Sequence, residues 1–204
     1  MGGAGTERPG RFVPQEERGR FLTRFIFAFA ITSLFLNPYV ERLQYSSSVA
    51  FMFSHYALFS AGFALSYRTV RVSSWFALPA ALISVLWHFP LPFAASAALP
   101  SCRYIEEGTL ILSGFLIGAS LDRMLPKLRS ALLVLWFTAD TALSILFIVL
   151  PGPYSTGSLP LSPYPASQLI LLGVLMIFFM NGVIAYVVYR YVRRFRSIIL
   201  SEEL

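Results

Sequence analysis

Apolar residues run almost unbroken through six windows of the chain, roughly Phe21 to Leu36, Ser46 to Tyr67, Ser74 to Leu99, Ile105 to Leu121, Ser130 to Leu150 and Ala166 to Tyr189. At about 1.5 Å per helical residue, such windows match a hydrocarbon core of ~30 Å. The runs are continuous rather than alternating, so they read as helices and not as barrel strands; a helix also satisfies its own backbone hydrogen bonds in lipid. The pattern predicts an all-α polytopic membrane protein with six transmembrane helices. It has a basic tail over residues 1–20, a six-helix domain over 21–193 and a second tail over 194–204.

Composition agrees. Of 204 residues, 56% are hydrophobic and only 13% charged, whereas a soluble domain carries charge on about a quarter of its residues. The net charge of +6 does not point to nucleic acid, because the basic residues flank apolar runs and form no compact patch with interleaved aromatics. The expected partner is the lipid bilayer, and the expected location a cell membrane crossed several times. With the N-terminus inside, Arg8, Arg11, Arg18, Arg20, Arg24, Arg68, Arg71, Arg123, Lys127, Arg129, Arg190, Arg193, Arg194 and Arg196 are cytoplasmic, leaving only Arg42 and Arg103 outside. That imbalance predicts both termini inside. The first run follows a hydrophilic segment and shows no small-residue cleavage site, so it reads as a retained anchor rather than a signal peptide. The start Met1-Gly2-Gly3-Ala4-Gly5-Thr6 fits an acylation pattern that six spans make redundant. Gly114 and Gly118 form a small-residue pair suited to close helix packing.

Function is sought where polar side chains enter the apolar runs at a cost, ~3 kcal/mol for a central charge. These are His55, His88, Glu106, Glu107, Asp140, Gln168 and Asn181. The two histidines are the only ones in the chain and fall at one level on consecutive antiparallel spans. They suit metal or haem ligation, proton handling, or plain burial as neutral imidazoles bonded to carbonyls. Pro90 and Pro92 remove helix donors just after His88, so the third span must kink there. Met52, three residues before His55, shares its helix face and offers a soft sulfur suited to copper(I), although packing is its commoner use. Glu106 and Glu107 open the fourth span, where the helix dipole favours carboxylates. The lone Cys102, in the loop before them, excludes an intrachain disulfide. Asp140, with no basic residue at its depth, must be protonated, paired with an imidazolium or near a cation, and Asn181 reads as an interhelical hydrogen bond.

The segments Ser54-His55, Leu86-Trp87-His88-Phe89-Pro90, Tyr104-Ile105-Glu106-Glu107 and Leu112-Ser113-Gly114 resemble those of the cytochrome c oxidase assembly factor CtaG family. They are still more similar to its short archaeal membrane relatives of unknown function. Gly152-Pro153-Tyr154, Ser162-Pro163-Tyr164 and Gln168 leading to Gly173-Val174-Leu175-Met176 extend the likeness, which covers roughly residues 46 to 180. Glu107 stands where that family has a second histidine, and Phe51 where it has an earlier one. The resemblance implies a copper-handling or assembly role beside a respiratory haem-copper oxidase, with His55, His88 and Glu106 carried over and Glu107 and Met52 as added ligands. Bis-histidine haem b electron transfer through His55 and His88 is the alternative, and a structural accessory subunit without cofactor the third reading. Fragments of CAAX-type protease motifs lack their arginine, since Ile111 stands in its place, so catalysis is not expected.

Overall fold

The computed structural model describes residues 15–202, and the side chains of residues 21–193. Among them the chain forms eight α-helices, three short 3-10 turns and no strand. The acylation-like start lies outside the described residues. The helices are α1 (Gln15–Phe35), α2 (Pro38–Ser46), α3 (Ser48–Ser66), α4 (Ala77–Leu86), α5 (Pro90–Ala98), α6 (Pro100–Ser120), α7 (Pro126–Val149) and α8 (Ala166–Glu202).

Proline punctuates the chain. Pro38, Pro90, Pro100 and Pro126 each occupy the first position of a helix, where their fixed φ helps and their missing N–H costs nothing. Asn37 caps α2 by accepting from the Tyr39 amide at 2.9 Å, and Ser47 caps α3 by accepting from the Ala50 amide at 3.3 Å. The expected third span is therefore broken, and the expected first span is followed across a bend by a further helix. The chain bends by 57° between α1 and α2, and by 73° between α4 and α5 inside the third.

By length and composition α3, α7 and α8 can each cross a membrane, and each bent pair can do so if it crosses as one span, which makes three to five. The expected fourth span, α6, starts at Pro100, five residues earlier than the hydropathy suggests, and so takes in Arg103 as well as Glu106 and Glu107. Those charges keep it from reading as an apolar span, yet all three side chains are buried.

α3 and α6 form the centre. They run parallel: His55 meets Glu106 near their starts, and Ser66 Oγ donates to the Phe115 carbonyl at 2.7 Å near their ends. Glycine makes the contact close, since a Cβ on Gly62 would stand 2.0 Å from the Ile111 carbonyl oxygen, and one on Gly114 2.0 Å from that of Phe59. α1 packs on α3, α4 and α5 pack on α6, and α7 pairs with α8. The main apolar core, with Phe51, Met52, Phe93, Phe147, Tyr154, Tyr164 and Met176, gathers under the segment joining α7 to α8. Elsewhere α1, α7 and α8 turn large apolar side chains outward, as lipid contact requires.

Candidate functional site

The structure brings the two histidines together. Their ring centroids are 5.7 Å apart with planes at 61°. On α3, His55 Nδ1–H donates to the Phe51 carbonyl four residues back at 2.8 Å, which aims Nε2 at α6. There it meets Glu106 Oε1 at 2.5 Å, with both side chains buried. His88 is held alike, its Nδ1–H donating to the Ser84 carbonyl at 2.6 Å. A carbonyl only accepts, so both Nδ1 atoms carry hydrogen.

The expected kink is what positions His88. Its N–H bonds to the Val85 carbonyl at 3.0 Å in a tight turn, and Pro92 cannot supply the donor its own carbonyl needs. Tyr154 does: its hydroxyl donates to the His88 carbonyl at 2.9 Å from the segment joining α7 to α8. Trp87 Nε1 donates to Thr109 Oγ1 at 2.8 Å, anchoring the same turn to α6 three residues beyond Glu106. Phe51 stands edge-on to His55 at 4.5 Å and to Phe93 at 5.3 Å. Tyr154 and Tyr164, outside the spans, have hydroxyls pushed above their ordinary pKa by burial and so remain donors.

Other expected residues fall elsewhere. Met52 is fully buried in the apolar core, so its thioether serves packing there. Glu107 is also buried, but successive helical residues diverge by about 100°, and neither of its oxygens has a partner. Cys102 lies in the first turn of α6 rather than in a loop. Arg103, expected outside, is wholly buried: it donates to the carbonyls of Ser96, Ala97 and Glu41 at 3.1, 2.9 and 3.1 Å, with its guanidinium over the Tyr45 ring at 3.7 Å. It thereby satisfies the C-terminal carbonyls of α5. Hydropathy cannot foresee this, because those carbonyls come from separate segments.

Asp140 Oδ1 accepts from the Tyr56 hydroxyl at 2.5 Å, on a different face of α3 from His55. Gln168 is a clamp. Its Oε1 accepts from the Ser48 amide, its Nε2 donates to the Ser46 carbonyl and its own carbonyl accepts from Ser48 Oγ, all at 3.1 Å, tying α8 to the start of α3. Asn181, read as an interhelical bond, is exposed and donates to the Ile177 carbonyl of its own helix at 2.8 Å, with no bond to another helix among the described residues. Tyr56 is the polar residue that the sequence leaves unmarked; Arg103 reads there only as topology and Tyr154 only as part of the resemblance.

The cluster lacks donors. Glu106 Oε2 and both Glu107 oxygens are buried without a partner. Among the described residues no three His, Cys, Asp or Glu side chains stand close enough together to hold a metal ion.

Residues 26–194 match the model of the family DUF1404, described as a protein of unknown function. No curated protein and no solved structure matches the chain.

Proposed function

The chain belongs to the DUF1404 family of proteins of unknown function, and from its geometry we propose an integral membrane protein whose His55–Glu106 pair, with His88 beside it, takes up and releases a proton inside the bilayer. The observation that carries this is the 2.5 Å contact between His55 Nε2 and Glu106 Oε1 in a buried setting. One proton lies between an imidazole and a carboxyl. Whether it sits on nitrogen or oxygen, the pair is neutral overall, which limits the cost of burying it. A second proton, or the loss of the first, leaves an uncompensated charge, so occupancy is coupled to the surrounding packing. The neighbouring imidazole is His88, whose ring centroid lies 5.7 Å from that of His55.

The proposal includes six spans with both termini inside. α6 is the fourth of them in chain order and adds to the five that length and composition allow, sheltered by its neighbours. Because α3 and α6 run parallel, the α4–α5 pair between them must return across the bilayer. Arg24 donates to the Tyr67 carbonyl, and Arg71 faces Asp122 at 3.4 Å, so basic residues gather at the end of the bundle where α3 and α6 finish.

A copper-handling role beside a haem-copper oxidase is the second reading. It is favoured by the pinning of both Nδ1 atoms to carbonyls, which leaves both Nε2 lone pairs for a ligand. It requires Glu106 to release His55, and neither Glu107 nor Met52 is placed to help. Haem b would use the same two nitrogens.

With only two histidines, ¹⁵N-histidine NMR of the protein in nanodiscs tests the proposal directly. The expected result is a His55 Nε2 signal of a shared proton that Glu106→Gln converts to that of a neutral imidazole. A His55 indifferent to Glu106→Gln would overturn it. About one copper or haem per chain, lost in both His55→Ala and His88→Ala, would establish the second reading instead.

A further inference from the structure

Beyond the histidine pair, we propose that Asp140 forms a second, separate proton-exchanging site, a carboxylic acid held by the Tyr56 hydroxyl midway along α7. The geometry is that of a built site. Asp140 is 6% exposed, and its Oδ1 accepts from Tyr56 Oη at 2.5 Å. Oδ2 is buried and has no partner. Ser144 cannot help, because its hydroxyl donates to the Asp140 backbone carbonyl at 2.7 Å. The Tyr56 ring is itself fixed, stacked on Phe179 of α8 at 5.1 Å and 28°, with Phe53 edge-on to both.

α3 presents Tyr56, whose ring carries Phe179 of α8, Gly173 of α8 packs on α7 from Ser144 onward, and among the described residues no basic side chain forms an ion pair with Asp140. An ionised carboxylate has about four lone-pair sites, and one hydroxyl serves only one of them. In a medium without water that deficit is met by neutralisation, so the resting proton sits on Oδ2. Thr138, Ala139 and Thr141 beside it are exposed, so the site lies just beneath the lipid-facing side of α7, one residue round α3 from His55.

Dicyclohexylcarbodiimide, a lipid-soluble reagent for protonated carboxyls, is the probe. The carboxyl proton moves to a reagent nitrogen as the carboxylate oxygen bonds to the central carbon, and the adduct rearranges to a stable acylurea with nothing lost. Protein in lipid vesicles is labelled over a range of pH at constant sodium, and adducts are located by peptide mass spectrometry. The expected result is an adduct on Asp140 whose rate of formation falls about tenfold per pH unit once the group ionises. Tyr56→Phe keeps the ring stack and should label over a wider pH range, while His55→Ala leaves Asp140 labelling unchanged, which separates this site from the His55–Glu106 pair. An Asp140 that never labels in the wild-type protein, labels equally at every pH, or is protected by sodium at fixed pH overturns the proposal.

Discussion

Replacing Gly114 by alanine tests whether the α3–α6 contact sets the histidine site. The added Cβ would stand 2.0 Å from the Phe59 carbonyl oxygen and 2.8 Å from its carbon, against the 3.4 Å at which ordinary contact begins. The obstacle is helix backbone, which cannot swing aside, so α6 must move off α3 by about 1.4 Å or tilt. Overpacking of this kind costs ~1–3 kcal/mol, offset by ~1 kcal/mol of better helix propensity. Glu106 lies two turns, roughly 12 Å, back along α6. A parting that carries its 2.5 Å contact with His55 beyond hydrogen-bond range adds about 1.5–3 kcal/mol. The net expectation is a loss of about 2–4 kcal/mol in reversible unfolding in mixed micelles, with a change in the His55 ¹⁵N signal. Gly108 on the same helix is the control: a Cβ there meets nothing within 4 Å, so Gly108→Ala should be neutral or stabilising by up to ~1 kcal/mol. If the two alanines shift stability alike, or Gly114→Ala leaves His55 untouched, the coupling between packing and site is refuted.

Glu106→Gln should leave His55 as a neutral imidazole from acid to alkaline pH, read from its ¹⁵N shifts, with only a small loss of stability because the amide still fills the volume. Tyr154→Phe strips the His88 carbonyl of its only side-chain donor, costing about 1–2 kcal/mol and moving the His88 signals while those of His55 stay. Gln168→Ala removes the two side-chain hydrogen bonds that tie α8 to the end of α2 and the start of α3 and keeps the one to its backbone carbonyl, for a loss of about 2 kcal/mol and faster hydrogen exchange at the Ser48 amide.

What the sequence reveals about this site depends on how local the cause is. The break at His88 is readable because Pro90 and Pro92 act on their own turn, and the pairing of His55 with His88 follows from equal depth on neighbouring helices. The donor that completes the break, Tyr154, comes from 66 residues away and leaves no local trace. Glu106 and Glu107 look equivalent in the chain, yet one turn of about 100° gives one a histidine and the other nothing. The helix boundaries differ for a related reason: window averages treat Asn37-Pro38 as a loop after a finished helix, whereas it is a bend of 57° between two helices that together are long and apolar enough for one span.

A helix too rich in charge to read as an apolar span occupies the middle of the bundle because its charges are matched by groups from several elements. Arg103 takes carbonyls from α2 and α5 and the ring of Tyr45, and Glu106 takes His55 from α3. No lipid-facing position could supply so many partners at once, so α6 is stable only when enclosed. Enclosure in turn needs the close approach that Gly62 and Gly114 permit two turns further along. The polar half of the α3–α6 contact thus depends on the glycine half: packing at one end holds the imidazole and carboxyl at proton-sharing distance at the other. A protein that needed only a rigid anchor would be as well served by leucine at Glu106 and His55. Keeping both through this arrangement is the physical ground for reading the pair as a working site.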